Sequence, residues 1–393
     1  MPDYHYLIVG GGMAADAAAR GIREVDPARD IGVLSEETDA PYSRPPLSKG
    51  LWKGEPQDSV WRKTADVGVT LHLGKRVARL DPTARTVTDH RGATYGYRKL
   101  LLATGARPKH LVAGGEDVIY FRTLADYRRV RELADKRKRF AVLGGGFIGS
   151  ELAAALATAG CKVTMLFPEA GIGARTFPLD LSRHLNAFYE GKGVTLLPGQ
   201  SVIGLVKKGR SYVVRTLNGT DVPADVVVAG LGVEPNVEMA EAAGLTTDNG
   251  IVVDDRLRTA HPEIYAAGDV AAVHSAVLGR RVRVEHEDSA VTMGRAAGRA
   301  MAGADDGAYD HLPFFYSDLF EIGYEAVGDL DPRLQTVSDW RTPLGEGVVY
   351  FLDGGRVRGV LLWNIGGQVD AARRLLAEPG PFDAGNLKGR LPA

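Results

Sequence analysis

Two glycine runs, each wedged between an apolar strand pattern and an alanine-rich helical one, constrain this chain more than any other feature. The first is Gly10-Gly11-Gly12-Met13-Ala14-Ala15, preceded by Tyr6-Leu7-Ile8-Val9 and followed by a helical stretch over 14–23. The second is Gly144-Gly145-Gly146-Phe147-Ile148-Gly149, preceded by Phe140-Ala141-Val142-Leu143 and followed by a helix over 150–159. Strand patterns at Ile31-Gly32-Val33-Leu34 and over 162–167 complete two strand–helix–strand units. Such unbroken apolar strands imply parallel sheets covered on both faces. In each loop the first glycine permits a tight turn and the second lets the backbone approach a pyrophosphate. The third position, Ala15 or Gly149, lets helix and strand pack closely. The following helix offers unpaired N–H groups and a positive dipole end to phosphates. The chain therefore reads as binding two dinucleotides.

Acidic residues sharpen the two sites. Glu36 follows the second strand, where a carboxylate accepts ribose hydroxyls. In the second unit Phe167 holds the equivalent slot and Glu169 comes two residues later. A carboxylate there favours NADH over NADPH by repelling a 2′-phosphate, while Arg175 works against that preference. Ile264-Tyr265-Ala266-Ala267-Gly268-Asp269-Val270 reads as a strand ending in Gly-Asp at a helix start. That arrangement aims the Asp269 carboxylate at a ligand such as FAD, beside the first glycine loop. Leu100-Leu101-Leu102-Ala103-Thr104-Gly105 is another strand closing in small residues, which suits close backbone approach.

The expected fold class is α/β: two Rossmann-like, doubly wound domains binding FAD and NAD, plus a C-terminal α+β domain. Residues 1–112 and 246–308 form the expected FAD-binding domain, 113–245 the NAD-binding domain and 309–393 the C-terminal domain. β-rich stretches cover 69–102 and 194–228, with turns at Asp81-Pro82, Arg91-Gly92 and Asn218-Gly219. The C-terminal part shows strands over 324–327, 348–352 and 357–363, a helix over 369–376, and a Gly/Pro-rich tail from Pro379 that is expected to be loosely held.

Composition excludes several classes. A net charge of −1 over 393 residues leaves no whole-molecule field for nucleic acid or anionic lipid. The run Lys136-Arg137-Lys138-Arg139 reads as a solvated helix end. No apolar stretch reaches the ~20 residues of a membrane span. The N-terminus runs straight into a strand with no cleavable leader pattern, which points to the cytoplasm. Cys161 is the only cysteine. A catalytic dithiol is impossible, and Cys161 reads as a small packing residue. His72, His90 and His261 are isolated, and no cluster has metal-ligand spacing.

The chain resembles the FAD-dependent pyridine-nucleotide oxidoreductases of glutathione-reductase-like fold, above all apoptosis-inducing factor and its bacterial relatives, with the ferredoxin reductases of oxygenase systems next. The resemblance is carried by Pro41-Tyr42-Ser43-Arg44-Pro45-Pro46-Leu47-Ser48-Lys49, by Gly144-Gly145-Gly146-Phe147-Ile148-Gly149-Ser150-Glu151, and by Leu166-Phe167-Pro168-Glu169. It is carried also by Val233-Glu234-Pro235-Asn236, by Val284-Glu285-His286, and by Ser317-Asp318-Leu319 with Gly323-Tyr324-Glu325-Ala326-Val327-Gly328.

The resemblance implies hydride transfer from NADH to FAD and onward passage of electrons. The acceptor is unidentified: a ferredoxin, a quinone or oxygen. Lys49, Phe147, Glu151 and His286 are the implied catalytic residues. For FAD, the resemblance implies contacts from Gly10, Gly12, Met13, Ala14, Ala15, Glu36, Arg44, Lys49, Thr104, Gly105, Gly268 and Asp269. Val77 is implied on the adenine side and Lys109 at the phosphates, with Glu285, His286, Glu287 and Tyr316 about the flavin. For the nicotinamide dinucleotide it implies Gly144, Gly146, Phe147, Ile148, Gly149, Glu169, Arg175, Gly232, Glu325 and Asn364. Two other readings stand beside an oxidoreductase with an open acceptor. One is a reductase passing single electrons to a ferredoxin or rubredoxin. The other is an NADH-sensing flavoprotein that forms a homodimer on reduction. Tyr316 stands where the animal member of the family carries Trp. The stretch 340–346 is short where that protein has a long insertion, so its cell-death signalling is not carried over. No cysteine occurs in 41–48, which sets aside a peroxidase.

Overall fold

The computed structural model describes residues 1–112 and 115–391; the expected boundary at 112/113 and the end at 393 touch residues outside that set. The chain folds into two compact units and crosses between them five times. The first comprises Met1–Arg44, Pro56–Arg107 and Glu234–Pro313; the second comprises Pro45–Glu55, Pro108–Val233 and Phe314–Ala393.

In the first unit, parallel strands stand in the order Val69–His72, Ile31–Leu34, Asp3–Val9 and Thr94–Leu102. Ile264–Ala266 joins the far side of the last of these. The antiparallel hairpin Val77–Asp81 and Thr86–Asp89 extends the sheet, with turns at the two positions expected. Register decides where a ligand can lie. Val9 pairs with Leu34 and Leu102, and Leu102 with Ala266, so these strands end level with one another. Gly10, Ser35, Ala103 and Ala267 thus share one edge, the carboxyl end where open α/β sheets bind ligands.

Helix Met13–Val25 covers one face, burying Met13, Ala14, Ala15, Ala18, Ala19 and Ile22. Its alanines admit helix Glu287–Met301 at backbone distance: a Cβ on Gly298 would lie 2.1 Å from the Ala18 carbonyl oxygen. The helix expected after Gly268 is absent. Gly268–Val270 is a three-residue 3-10 turn, followed by the strand Ala271–Ser275. The apolar run from Val270 to Val273 is buried, and strand pairing there wins over helix.

In the second unit a five-stranded parallel sheet runs Thr195–Pro198, Lys162–Phe167, Arg139–Leu143, Val226–Ala229, Ile119–Tyr120. Leu143 pairs with Leu166 and Ala229, which sets Gly144, Phe167 and Gly230 on one edge. The basic run at 136–139 is a helix end turning into a strand, with the Arg139 guanidinium bonded to Asp225. Cys161 is buried in the turn before Lys162–Phe167.

The C-terminal part is a five-stranded antiparallel sheet ordered Phe314–Leu319, Ile322–Gly328, Arg356–Trp363, Glu346–Asp353, Gln335–Thr342, backed by helix Val369–Ala377. The tail is not loose as far as residue 391. Leu387 and Leu391 are buried, and the Leu391 N–H donates to the Tyr350 hydroxyl. Two leucines among the glycines and prolines supply the apolar anchor that composition concealed. No helix among the described residues is long and apolar enough to cross a membrane.

Candidate functional site

Each unit carries one glycine turn, and the two are built alike. Gly10 has φ +119° and Gly144 φ +107°, values that disfavour any side chain. A Cβ at Gly10 would stand 2.0 Å from the Ala103 carbonyl oxygen, and one at Gly144 2.3 Å from that of Gly230. At Gly12 and Gly146 a Cβ would meet nothing within 4 Å. These two residues are the N-caps of helices Met13–Val25 and Phe147–Thr158, and neither helix has a side-chain cap. Open space over uncapped N–H groups suits a phosphate. The turns thus fit a pyrophosphate on this chain's own geometry.

In the first unit the structure brings Ala14 beside Gly268, whose Cβ would lie 2.9 Å from the Ala14 methyl, while Ala15 is buried one residue on. Glu36 projects from the same edge with its side chain 73% exposed. Arg44 is held by Glu37 at 2.5 Å and by the Tyr42 hydroxyl at 2.9 Å, while Tyr42 itself donates to Glu37. Burial alone would make Arg44 easier to deprotonate. Tyr42, Glu37 and Asp269 outweigh it and keep the guanidinium charged. Thr104 and Gly105 are tied to Asn236, whose side-chain amide donates to the Thr104 carbonyl at 2.7 Å. His286 is the N-cap of Glu287–Met301. Val77 opens its hairpin strand.

Lys49, Lys109 and Tyr316, expected at FAD, belong to the second unit. There Glu151 collects three donors: Lys49 Nζ at 2.7 Å, Ser48 Oγ at 2.5 Å and Ser317 Oγ at 2.5 Å. Ser48 and Lys49 are neighbours and Ser317 comes from a distant segment, and the carboxylate is buried. Lys49 Nζ also lies 5.3 Å from the Tyr316 ring centroid. Burial, and behind it the Glu151 charge, pushes the Tyr189 and Tyr324 phenols far above their usual range. Phe147 packs edge-on against Phe315 at 5.3 Å, yet Phe147 and Ile148 each remain 36% exposed at the start of their helix. Exposed apolar side chains beside an uncapped helix start suit contact with a ligand. Gly149 packs against the Gly144 carbonyl, 2.0 Å from a notional Cβ.

Glu169 is paired with Arg175 and only 21% exposed. Gly232 leaves open space at its Cβ, and its carbonyl accepts from the Lys109 N–H. Glu325 is pushed up by burial, and its Oε2 finds no hydrogen-bond partner among the described residues. The Asn364 side chain is engaged by backbone: it accepts from Gly323 N–H and donates to the Gly345 carbonyl. Sequence reasoning missed Glu37, Asp16 and Arg283. Asp16 carried one signal, an acid on the apolar face of an alanine-rich helix; Arg283 carried none.

Two uncapped glycine turns on separate parallel sheets suit two phosphate-bearing ligands. Residues 4–294 match the family model described as pyridine nucleotide-disulphide oxidoreductase, and the chain belongs to that family. It is a FAD-dependent NAD(P)H oxidoreductase without a redox-active disulfide, since Cys161 is the only thiol. The ferredoxin–NAD(+) reductase component of the anthranilate 1,2-dioxygenase system of Burkholderia cepacia is 37% identical over 95% of this chain and 94% of its own length. Apoptosis-inducing factor 1 of Dictyostelium discoideum is 33% identical over 95% of this chain and 78% of its own. Among solved structures, the covalent putidaredoxin reductase–putidaredoxin complex superposes with a TM-score of 0.91 at 30% identity, covering 98% of this chain and 96% of that one.

Proposed function

We propose that this protein is an NADH-dependent flavoprotein reductase that delivers electrons to a ferredoxin-class iron–sulfur protein. What supports the acceptor is likeness: the anthranilate-system reductase is 37% identical and the putidaredoxin reductase–putidaredoxin complex superposes with a TM-score of 0.91, against 33% identity for the Dictyostelium apoptosis-inducing factor. A reducing compartment such as the cytoplasm suits its single buried thiol.

In this reading Gly10, Gly12, Met13, Ala14 and Ala15 present backbone N–H groups to the FAD pyrophosphate, and Glu36 takes the adenosine ribose. Val77 and Lys109 serve the adenine side and phosphates, and Asp269 the ribityl chain. Bound FAD supplies the hydride acceptor and the conversion of a two-electron donation into single-electron steps. Arg44 and Lys49 offer positive charge to the reduced cofactor. Glu151, Ser48 and Ser317 fix where the Lys49 ammonium lies. In the second unit Phe147 provides a face for nicotinamide and Tyr316 stands beside Lys49; in the first unit Glu285, His286 and Glu287 serve the flavin. Gly144, Gly146, Ile148 and Gly149 cradle the second pyrophosphate. Glu169 accepts the ribose hydroxyls in exchange for Arg175, while Gly232, Glu325 and Asn364 line the remainder.

The assay is NADH-driven reduction of a purified ferredoxin followed by absorbance. The expected result is turnover that falls steeply with salt, as for an acidic partner steered by charge. Equal turnover with oxygen or quinone alone, unaffected by ferredoxin, contradicts the proposed acceptor. Glu169→Ala is expected to raise KM for NADH more than it lowers kcat; an unchanged KM removes Glu169 from the site.

A further inference from the structure

Arg283 lies just beyond the strand Arg280–Val282, and its side chain is only 8% exposed. Its fork reaches three groups. Nη1 donates to the backbone carbonyl of Asp269 at 3.1 Å, Nη2 pairs with Glu285 Oε1 at 2.6 Å, and Nε approaches Asn249 Oδ1 at 3.4 Å. The stem is walled in as well: a Cβ on Gly250 would sit 2.9 Å from Arg283 Cδ. The Gly268 turn held in this way abuts Ala14 in the first glycine-turn helix. Glu285 immediately precedes His286, the N-cap of the helix packed on that same helix.

We infer that Arg283 is a positioning residue of the proposed FAD site, fixing the Gly268-Asp269 turn with one arm and neutralising Glu285 with the other. The inference rests on the FAD reading given above. Holding a carbonyl and a carboxylate at once needs a planar fork, which a lysine lacks. The electrostatic half follows from sign. Reduction adds negative charge to the cofactor, and protein charge nearby tunes that step. Glu285 without Arg283 is a bare carboxylate opposing it.

The test compares Arg283→Gln, Arg283→Lys, Glu285→Gln and the double variant Arg283→Gln/Glu285→Gln in the full-length protein loaded with FAD. Two quantities are read: FAD affinity by fluorescence, and the two-electron midpoint potential by equilibration with a reference dye. Arg283→Gln is expected to weaken FAD roughly tenfold. It is also expected to shift the reduction equilibrium about tenfold toward the oxidised form, about 30 mV. The double variant regains the wild-type potential but not the affinity, because the unpaired carboxylate is gone while the turn stays unheld. Arg283→Lys keeps the potential and loses affinity, and it decides the question if the Gln variant does not fold. Equal potentials in wild type and Arg283→Gln, or no recovery in the double variant, overturn the role of Arg283 while the FAD reading stands. A wild-type protein that takes up no FAD overturns both.

Discussion

Gly12→Ala and Gly10→Ala sit two residues apart and should fail in opposite ways. Gly12 has φ −91° and ψ −167°, which any L-residue adopts, and its Cβ would meet nothing within 4 Å. The free protein therefore gains stability slightly or not at all, by up to about 1 kcal/mol through a less flexible unfolded chain. The methyl group instead occupies the open space over the uncapped helix N-terminus. If it displaces a pyrophosphate from one or two N–H donors, at about 1.5–3 kcal/mol each, the loss is about 3 kcal/mol. That is roughly a hundredfold in FAD affinity. Gly10→Ala has φ +119° and a Cβ 2.0 Å from the Ala103 carbonyl oxygen, so backbone must move. Strain of about 1–3 kcal/mol and overpacking of similar size appear in the free protein. Urea melts of FAD-free protein and fluorescence titration with FAD separate the two outcomes. Gly12→Ala protein that binds FAD at wild-type affinity, or that melts as early as Gly10→Ala, refutes the placement of phosphate over this turn.

Four further outcomes follow from individual side-chain contacts. Arg62→Ala removes a 2.8 Å partner from the fully buried Asp16 while Arg20 and Thr64 stay in place, and should cost about 1.5–3 kcal/mol in a urea melt; a loss under about 0.5 kcal/mol contradicts it. Burial raises the Asp16 carboxyl, but hydrogen bonds from Arg20, Arg62 and Thr64 outweigh it and hold the group below its usual value, so its stabilisation is present at neutral pH and lost as pH falls below about 4. Asp225, drawn down to about 2 by the Arg139 side chain against some opposing desolvation, loses its contribution between about pH 4 and pH 2; because the pair is solvent-screened this is at most about 1 kcal/mol, and Asp225→Asn should flatten the acid limb of the stability profile by that amount. Ser48→Ala and Ser317→Ala remove two donors from one carboxylate, so a double-mutant cycle in urea should show about 0.5–3 kcal/mol of coupling; strict additivity would mean that the two hydroxyls do not share Glu151.

What could be read from the sequence was local. The two glycine turns, Glu36 after its strand and the strand 162–167 follow from neighbouring residues, because turn geometry and strand burial leave short-range patterns. The helix expected after Asp269 failed because the run after it reads either way locally, and pairing with strands at Ile251–Val252 and Arg280–Val282 decided. The tail from Pro379 looked loose because glycine and proline dominate its composition, while Leu387 and Leu391 do the anchoring. Other features have no local trace. Ser317 lies 166 residues from Glu151, and Ser48 lies 103 away, so their convergence is a property of the second unit alone. Arg283 stands among other arginines in the sequence, and only the carbonyl of Asp269 and the carboxylate of Glu285 set it apart. Glu169 and Arg175 stand six residues apart in the sequence, and the structure pairs them.

The most direct measurement is an anaerobic titration of the FAD-loaded protein with NADH, followed by addition of oxidised ferredoxin. The account predicts stoichiometric bleaching of the flavin absorbance by NADH, weaker response to NADPH, and recovery of the absorbance when ferredoxin is added. Flavin absorbance that ignores NADH, or that NADPH bleaches at lower concentration, contradicts the assignment of the two glycine turns to FAD and NADH.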